Sequence, residues 1–146
     1  MSVIVQLADA VAAELNAATF TPAFIAERRV LPVYNLSELT GLRVTVVPKA
    51  VEITGATRAA SQHDLSVDIG VQQRVPPDSD VDAFVLELGG LVDAIADYLR
   101  RRQLTQPPGA GVSWVRTTND PVYASEHLTE KRVFTSVLTV TYRGMK

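Results

Sequence analysis

His63-Asp64 sets an imidazole beside a carboxylate, the residue types of a general base and its orienter. On an extended chain, however, adjacent side chains point to opposite sides, and acid–base work needs groups that converge. Ser125-Glu126-His127 offers a nucleophile, a carboxylate and a base but meets the same objection, and no GxSxG elbow accompanies it. Gly109-Ala110-Gly111 is too short for a phosphate loop, follows a helix pattern and lacks the lysine. Asp78, Asp80 and Asp82 resemble a cation loop only in their alternation, because the glycine and the distal glutamate of a calcium loop are missing. Arg100-Arg101-Arg102 has the charge to bind a phosphate or an acidic partner. It equally fits the basic end of a helix, favoured by the helix dipole, and that is the reading adopted. Arg28-Arg29 falls in a strand pattern, so its side chains diverge and one is expected to pair with a carboxylate. Trp114, the only tryptophan, suits the core or a subunit contact.

Composition narrows the chemistry further. The chain has no cysteine, which excludes disulfides and thiolate metal sites. His63 and His127 are too few for an all-imidazole metal site, and no spacing suggests mixed histidine–carboxylate zinc ligands. The expectation is a chain with no catalytic residues, no metal and no cofactor, and therefore not an enzyme. A net charge of −2 gives no basic excess for non-specific nucleic-acid binding. With 146 residues, 47% of them hydrophobic, the chain fits one domain, residues 1–146, with a real core. The N-terminus lacks the basic start of a secretory signal, and Asp9 and Glu14 interrupt its apolar pattern. Val81–Leu99 is the most apolar stretch but carries Asp82, Glu87, Asp93 and Asp97, each costly in lipid. The chain is thus expected to stay in a cytoplasm, or to leave it only inside something larger.

The elements that must position these residues follow from periodicity. Ser2–Ala18 reads as a helix with Ile4, Leu7, Ala8, Val11 and Leu15 on one face and Ser2 as N-cap. Phe24–Leu31 reads as a strand ended by Pro32, and Asn35–Gly41 as a loop or short helical turn. Leu42–Val47 is a strand that Pro48 ends or marks as an edge, and Val51–Thr54 shows a weaker strand pattern. Gly55–Gln62 reads as a mobile loop or hairpin tip. Leu65–Val75 alternates cleanly and stops at Pro76-Pro77. Ser79-Asp80-Val81-Asp82 resembles a capping box before a helix over Asp80–Gln103. Its stripe of Val81, Phe84, Val85, Leu88, Leu91, Val92, Ile95 and Leu99 is wide enough to lie on a sheet. Gly89-Gly90 in mid-helix predicts close approach of another backbone. Thr105–Gly111 reads as a linker, Val112–Thr117 as a strand, Asn119-Asp120-Pro121 as a turn and Tyr123–Lys131 as a polar excursion. Val133–Tyr142 is a second clean strand, with Phe134, Leu138, Val140 and Tyr142 opposite a threonine-rich face.

The fold class is α+β, a mainly antiparallel sheet with two helices on one face, in the order α-β-β-(β)-β-α-β-β. Val67, Ile69, Phe84, Leu88, Leu91, Ile95, Leu138 and Val140 are the expected core. The loops at about 55–64 and 119–131 are long for a small sheet and suit arms that reach neighbouring subunits. Free strand edges also need partners or protection.

The order and spacing of several motifs carry a resemblance over nearly the whole chain. They are Glu27-Arg28-Arg29-Val30-Leu31-Pro32, Leu42-Arg43-Val44-Thr45-Val46-Val47-Pro48, the strand around Asp68 and the helix Asp80–Arg102. They continue with Asn119-Asp120-Pro121-Val122-Tyr123, His127-Leu128 and Phe134-Thr135-Ser136-Val137-Leu138-Thr139. In these the chain resembles the tail terminator (tail completion, or neck) proteins of long-tailed bacteriophages. The resemblance implies a structural virion protein, assembled in the host cytoplasm, that forms a hexameric ring. Such a ring caps the tail tube, stops its polymerisation and meets the head connector, and the genome DNA passes through its lumen without specific binding. Its partners would be further copies of itself, the tube protein and the connector, with no membrane. Subunit contacts are expected at the sheet edges and the two loops, with Arg58, Asp120, Glu126, His127 and Leu128 among them. A head–tail connector or stopper is the nearest alternative, then a tail-tube subunit. A small cytoplasmic enzyme or ligand-binding domain would instead show a deep pocket joining His63 or His127 to a carboxylate.

Overall fold

In the computed structural model, which describes residues 2–31 and 36–146, the chain begins with α1 (Val3–Asn16) and the short strand β1 (Ala26–Arg28). A 3-10 turn (Leu36–Thr40) precedes β2 (Arg43–Gly55), β3 (Ser61–Arg74) and α2 (Val81–Leu99). A second 3-10 turn (Gly109–Gly111) leads to β4 (Val112–Asn119), α3 (Ser125–Lys131) and β5 (Val133–Met145). The fold is α+β. Its five-stranded sheet has the order β1-β2-β3-β5-β4. β2, β3, β5 and β4 pair antiparallel, and β1 runs parallel to β2.

Alternation along β3 and β5 builds the core. Leu65, Val67 and Ile69 stand opposite Tyr142, Val140 and Leu138, and all six are buried. Onto this face α1 lays Leu7, Val11 and Leu15, while α2 lays Leu88, Leu91, Val92, Ile95 and Leu99. Each such side chain contributes about 1.5–3 kcal/mol through burial. Phe84 departs from the expected core: it is only half-buried, packed against the cluster from the first turns of α2.

Several elements differ from the periodicity reading, each for a physical reason. The two strand patterns around Pro48 form one strand. The ladder shifts register between Pro48 and Ala50, so the missing N–H of Pro48 is absorbed by a bulge rather than by a strand end. The expected strand over Phe24–Leu31 shrinks to Ala26–Arg28, and Ile25, Val30 and Leu31 beside it stay exposed rather than packed into the sheet. The expected stop at Pro32, and Asn35 of the following turn, lie outside the described residues. Half of the expected loop at 55–64 is strand, and the rest is the hairpin tip that is the other reading of this stretch. β2 and β3 pair out to Gly55↔Ser61, and Ala56 and Thr57 both donate to the Ala60 carbonyl across a tight tip. The excursion at 119–131 holds α3, too short to show an apolar stripe.

The capping reading also moves. Asp80, not Ser79, is the N-cap of α2, and its carboxylate accepts from the Asp82 N–H at 3.2 Å. Ser2 precedes α1 without a side-chain cap bond. α2 ends at Leu99, which leaves Arg100-Arg101-Arg102 beyond the helix rather than in its last turn. A Cβ built on Gly89 or Gly90 would meet nothing within 4 Å, so the expected close approach of a backbone from within the chain does not occur. Gly109 is the reverse case. A Cβ there would run into the Leu104 carbonyl, so the stretch read as a linker is packed. Among the described residues no helix is long and apolar enough to cross a membrane.

Candidate assembly surfaces

The sheet face opposite α1 and α2 is a ladder of polar side chains paired across strands. Ser66 and Thr141 share a hydrogen bond of 2.9 Å, and Thr139 donates to Asp68 at 2.6 Å. Lys49, displaced by the bulge, approaches Asp68 at 3.6 Å. Gln72 donates to Thr135 at 3.3 Å. Arg143 grips Asp64 through Nε at 2.8 Å and Nη2 at 3.2 Å. That hydrogen bond is the main reason the Asp64 carboxyl lies below its ordinary value of 3.8. Burial works against the shift, and the charges of Arg143 and Arg116 add to it. The threonines of this face are therefore engaged with Ser66, Asp68 and Gln72 across the strands.

The same geometry separates His63 from Asp64. Asp64 turns to Arg143 on the polar face, while His63 lines a small hollow of about 190 Å³ on the other, with Val3, Leu65, Pro108 and Val112. No Asp or Glu among the described residues lines that hollow. His127 lies on α3, where its Nδ1 is 2.9 Å from the Thr135 hydroxyl, and among the described residues no carboxylate joins it there. Among the described residues no group of three His, Cys, Asp or Glu side chains is placed to hold a metal.

Of the residues expected at a subunit contact, Arg58, Asp120 and Glu126 are exposed. His127 is half-buried on Thr135, and Leu128 packs against the chain's own core. Nor do they form one surface. Arg58 sits at the tip joining Gly55 to Ser61, whereas Asp120 to Leu128 follow Asn119, which pairs with Leu138 at the other end of the sheet.

Periodicity missed two features. The first is a buried anchor. Glu14, on α1, accepts from Arg102 Nε at 2.8 Å and from the Thr105 N–H and hydroxyl at 3.3 and 3.1 Å. The Arg102 guanidinium lies 3.9 Å over the Tyr98 ring. The nearby Tyr142 hydroxyl is buried without a partner, and burial, aided by the Glu14 charge, pushes its pKa up. The second is an open groove of about 370 Å³ between α2 and the segment after β4, lined by Val85, Leu86, Gly89, Gly90, Val122 and Tyr123 among others. Its walls continue into neighbouring hollows bounded by Leu128 on one side and by Trp114 and Leu138 on the other. Trp114 is half-buried there, its Nε1 donating to Thr117 at 2.9 Å. The mid-helix glycines and the apolar Leu86 were the sequence signal for this groove.

Fold and surfaces together define an α+β sheet domain with helices on one face and apolar surface left open at its edges. No protein-family model matches the sequence, and no curated protein does. Among solved structures, the chain is similar to one from the virion of a native gene transfer agent particle. The TM-score is 0.59 at 15% identity, over 99% of this chain and 98% of that one. At that identity the likeness is one of fold. A second solved chain superposes with a TM-score of only 0.46, at 15% identity over 95% of this chain and 90% of the other, and carries no weight.

Proposed function

We propose that this chain is a structural protein of a tailed-phage-like virion, a tail terminator whose copies close into a ring on the end of the tail tube. One observation carries the reading: the likeness to a virion chain runs end to end, over 99% and 98% of the two chains. The motif order from Glu27 to Thr139 points the same way, as do the open apolar edges of the sheet. The role is mechanical. The ring stops tube growth, meets the head connector and leaves a lumen through which the genome passes without specific binding. Assembly takes place in the host cytoplasm, and the protein then resides in the virion neck. Two full helices on one face of the sheet favour a terminator over a stopper, which tends to be more purely β.

The test is electron microscopy of tail tubes incubated with the purified protein. Decoration confined to one tube end is expected. Binding to an isolated portal–connector complex, with bare tube ends, would move the assignment to a stopper. Incorporation along the tube would make it a tube subunit. Binding to neither would overturn the virion reading.

A further inference from the structure

Two apolar surfaces lie open at opposite edges of the sheet. At the β4 edge, Leu86 (77% exposed), Val122 (59%) and Tyr123 (45%) border the groove beside Gly89 and Gly90. At the β1 edge, Ile25 (77%), Val30 (75%) and Leu31 (66%) flank a three-residue strand. Apolar residues scattered singly over a surface need no explanation, but clusters mark contact sites. The glycines sharpen the point. Each costs about 1 kcal/mol relative to alanine in a helix interior, yet beyond the helix's own backbone nothing lies within 4 Å of where its Cβ would be. A backbone arriving from outside would need that bare surface.

Charge selects the occupant. α2 carries Asp82, Glu87, Asp93 and Asp97 and no lysine or arginine. Asp93 lines the groove itself, and Asp82 lines its continuation. The β1 segment carries Arg28 and Arg29 against the single Glu27. Arg28 gives its Nε to Asp9, and its side chain is 34% exposed, which leaves donors of its fork beyond that bond. The outer strands of a five-stranded sheet stand roughly 19 Å apart, so one chain cannot bring the two surfaces together. A contact between opposite edges of successive copies is head-to-tail, the kind that closes into rings. We propose that Ile25–Leu31 of one copy docks into the α2 groove of the next, with Arg28 toward Asp82 and Asp93. This assignment rests on the ring reading above.

The chain has no cysteine, so covalent capture can be made site-specific. Ile25→Cys and Leu86→Cys, separately and combined, are treated with a short bismaleimide, alone and with tail tubes, while the native mass is followed. Both positions are exposed, so the variants should fold. The combined variant is expected to give a ladder of covalent oligomers up to the ring, and each single variant none. Rings by mass without a ladder would overturn the docking while leaving the ring reading intact. So would covalent dimers from one single variant, which report a two-fold contact, or capture of the tube protein instead of a second copy. A chain that stays monomeric alone and on tubes would sink the ring reading and this inference with it.

Discussion

α1 and α2 carry similar amphipathic patterns and use them differently. α1 spends its apolar face inside the chain. Leu7, Ala8, Val11 and Leu15 are buried, and polar ties fix the rest: Asp9 to Arg28, Glu14 to Arg102 and Thr105, and Asn16 to both backbone groups of Ala26 at 2.7 and 3.0 Å. α2 is divided. From Leu88 onward its stripe is buried on β5 and α1's side of the core, but Val85, Leu86, Gly89 and Gly90 line an open groove. An amphipathic stripe tells which residues share a face. It does not tell whether the surface opposite that face belongs to the same chain.

The largest test of this contrast is Leu88→Ala, on the buried side of α2. It should cost about 2–5 kcal/mol in denaturant unfolding, since it opens a cavity under a fully packed helix; a negligible loss would mean the helix is rotated away from the sheet. Glu14→Ala comes next, at about 1–3 kcal/mol, because the Thr105 N–H and the Arg102 fork lose their shared acceptor. If thermal melting shows no loss, α1 is not tied to the loop after α2 in the way described. Smallest, and opposite in sign, is Gly90→Ala. With open space at the Cβ position, it should stabilise the isolated chain by about 1 kcal/mol. A destabilised Gly90→Ala chain would show that an internal neighbour already fills the groove.

Much of the fold was legible because it is local. The alternation of Leu65 to Val75 and of Val133 to Tyr142 encodes a sheet with one apolar face, and the stripe of α2 encodes a helix on it. What was not legible depends on pairing across the sheet or on chain-distant partners. Pro48 reads as a strand end until β3 supplies the partner for a bulged strand. Arg102 reads as a helix-end cation until the fold brings Glu14, 88 residues away in sequence, against it. α3 has only seven residues, too few for a stripe to register. The glycines were assigned to an internal contact, and Phe84 to full burial, because nothing in the sequence distinguishes a face that packs within the chain from one that stays open.

The central claim is that the open half of α2 is an assembly surface and not an idle one. The most direct measurement is the native mass of the wild-type chain beside that of Leu86→Arg, each alone and bound to tail tubes. The account predicts that the wild type closes into a ring while Leu86→Arg stays folded, with unchanged melting, but monomeric. Equal masses for the two proteins in every condition would contradict it.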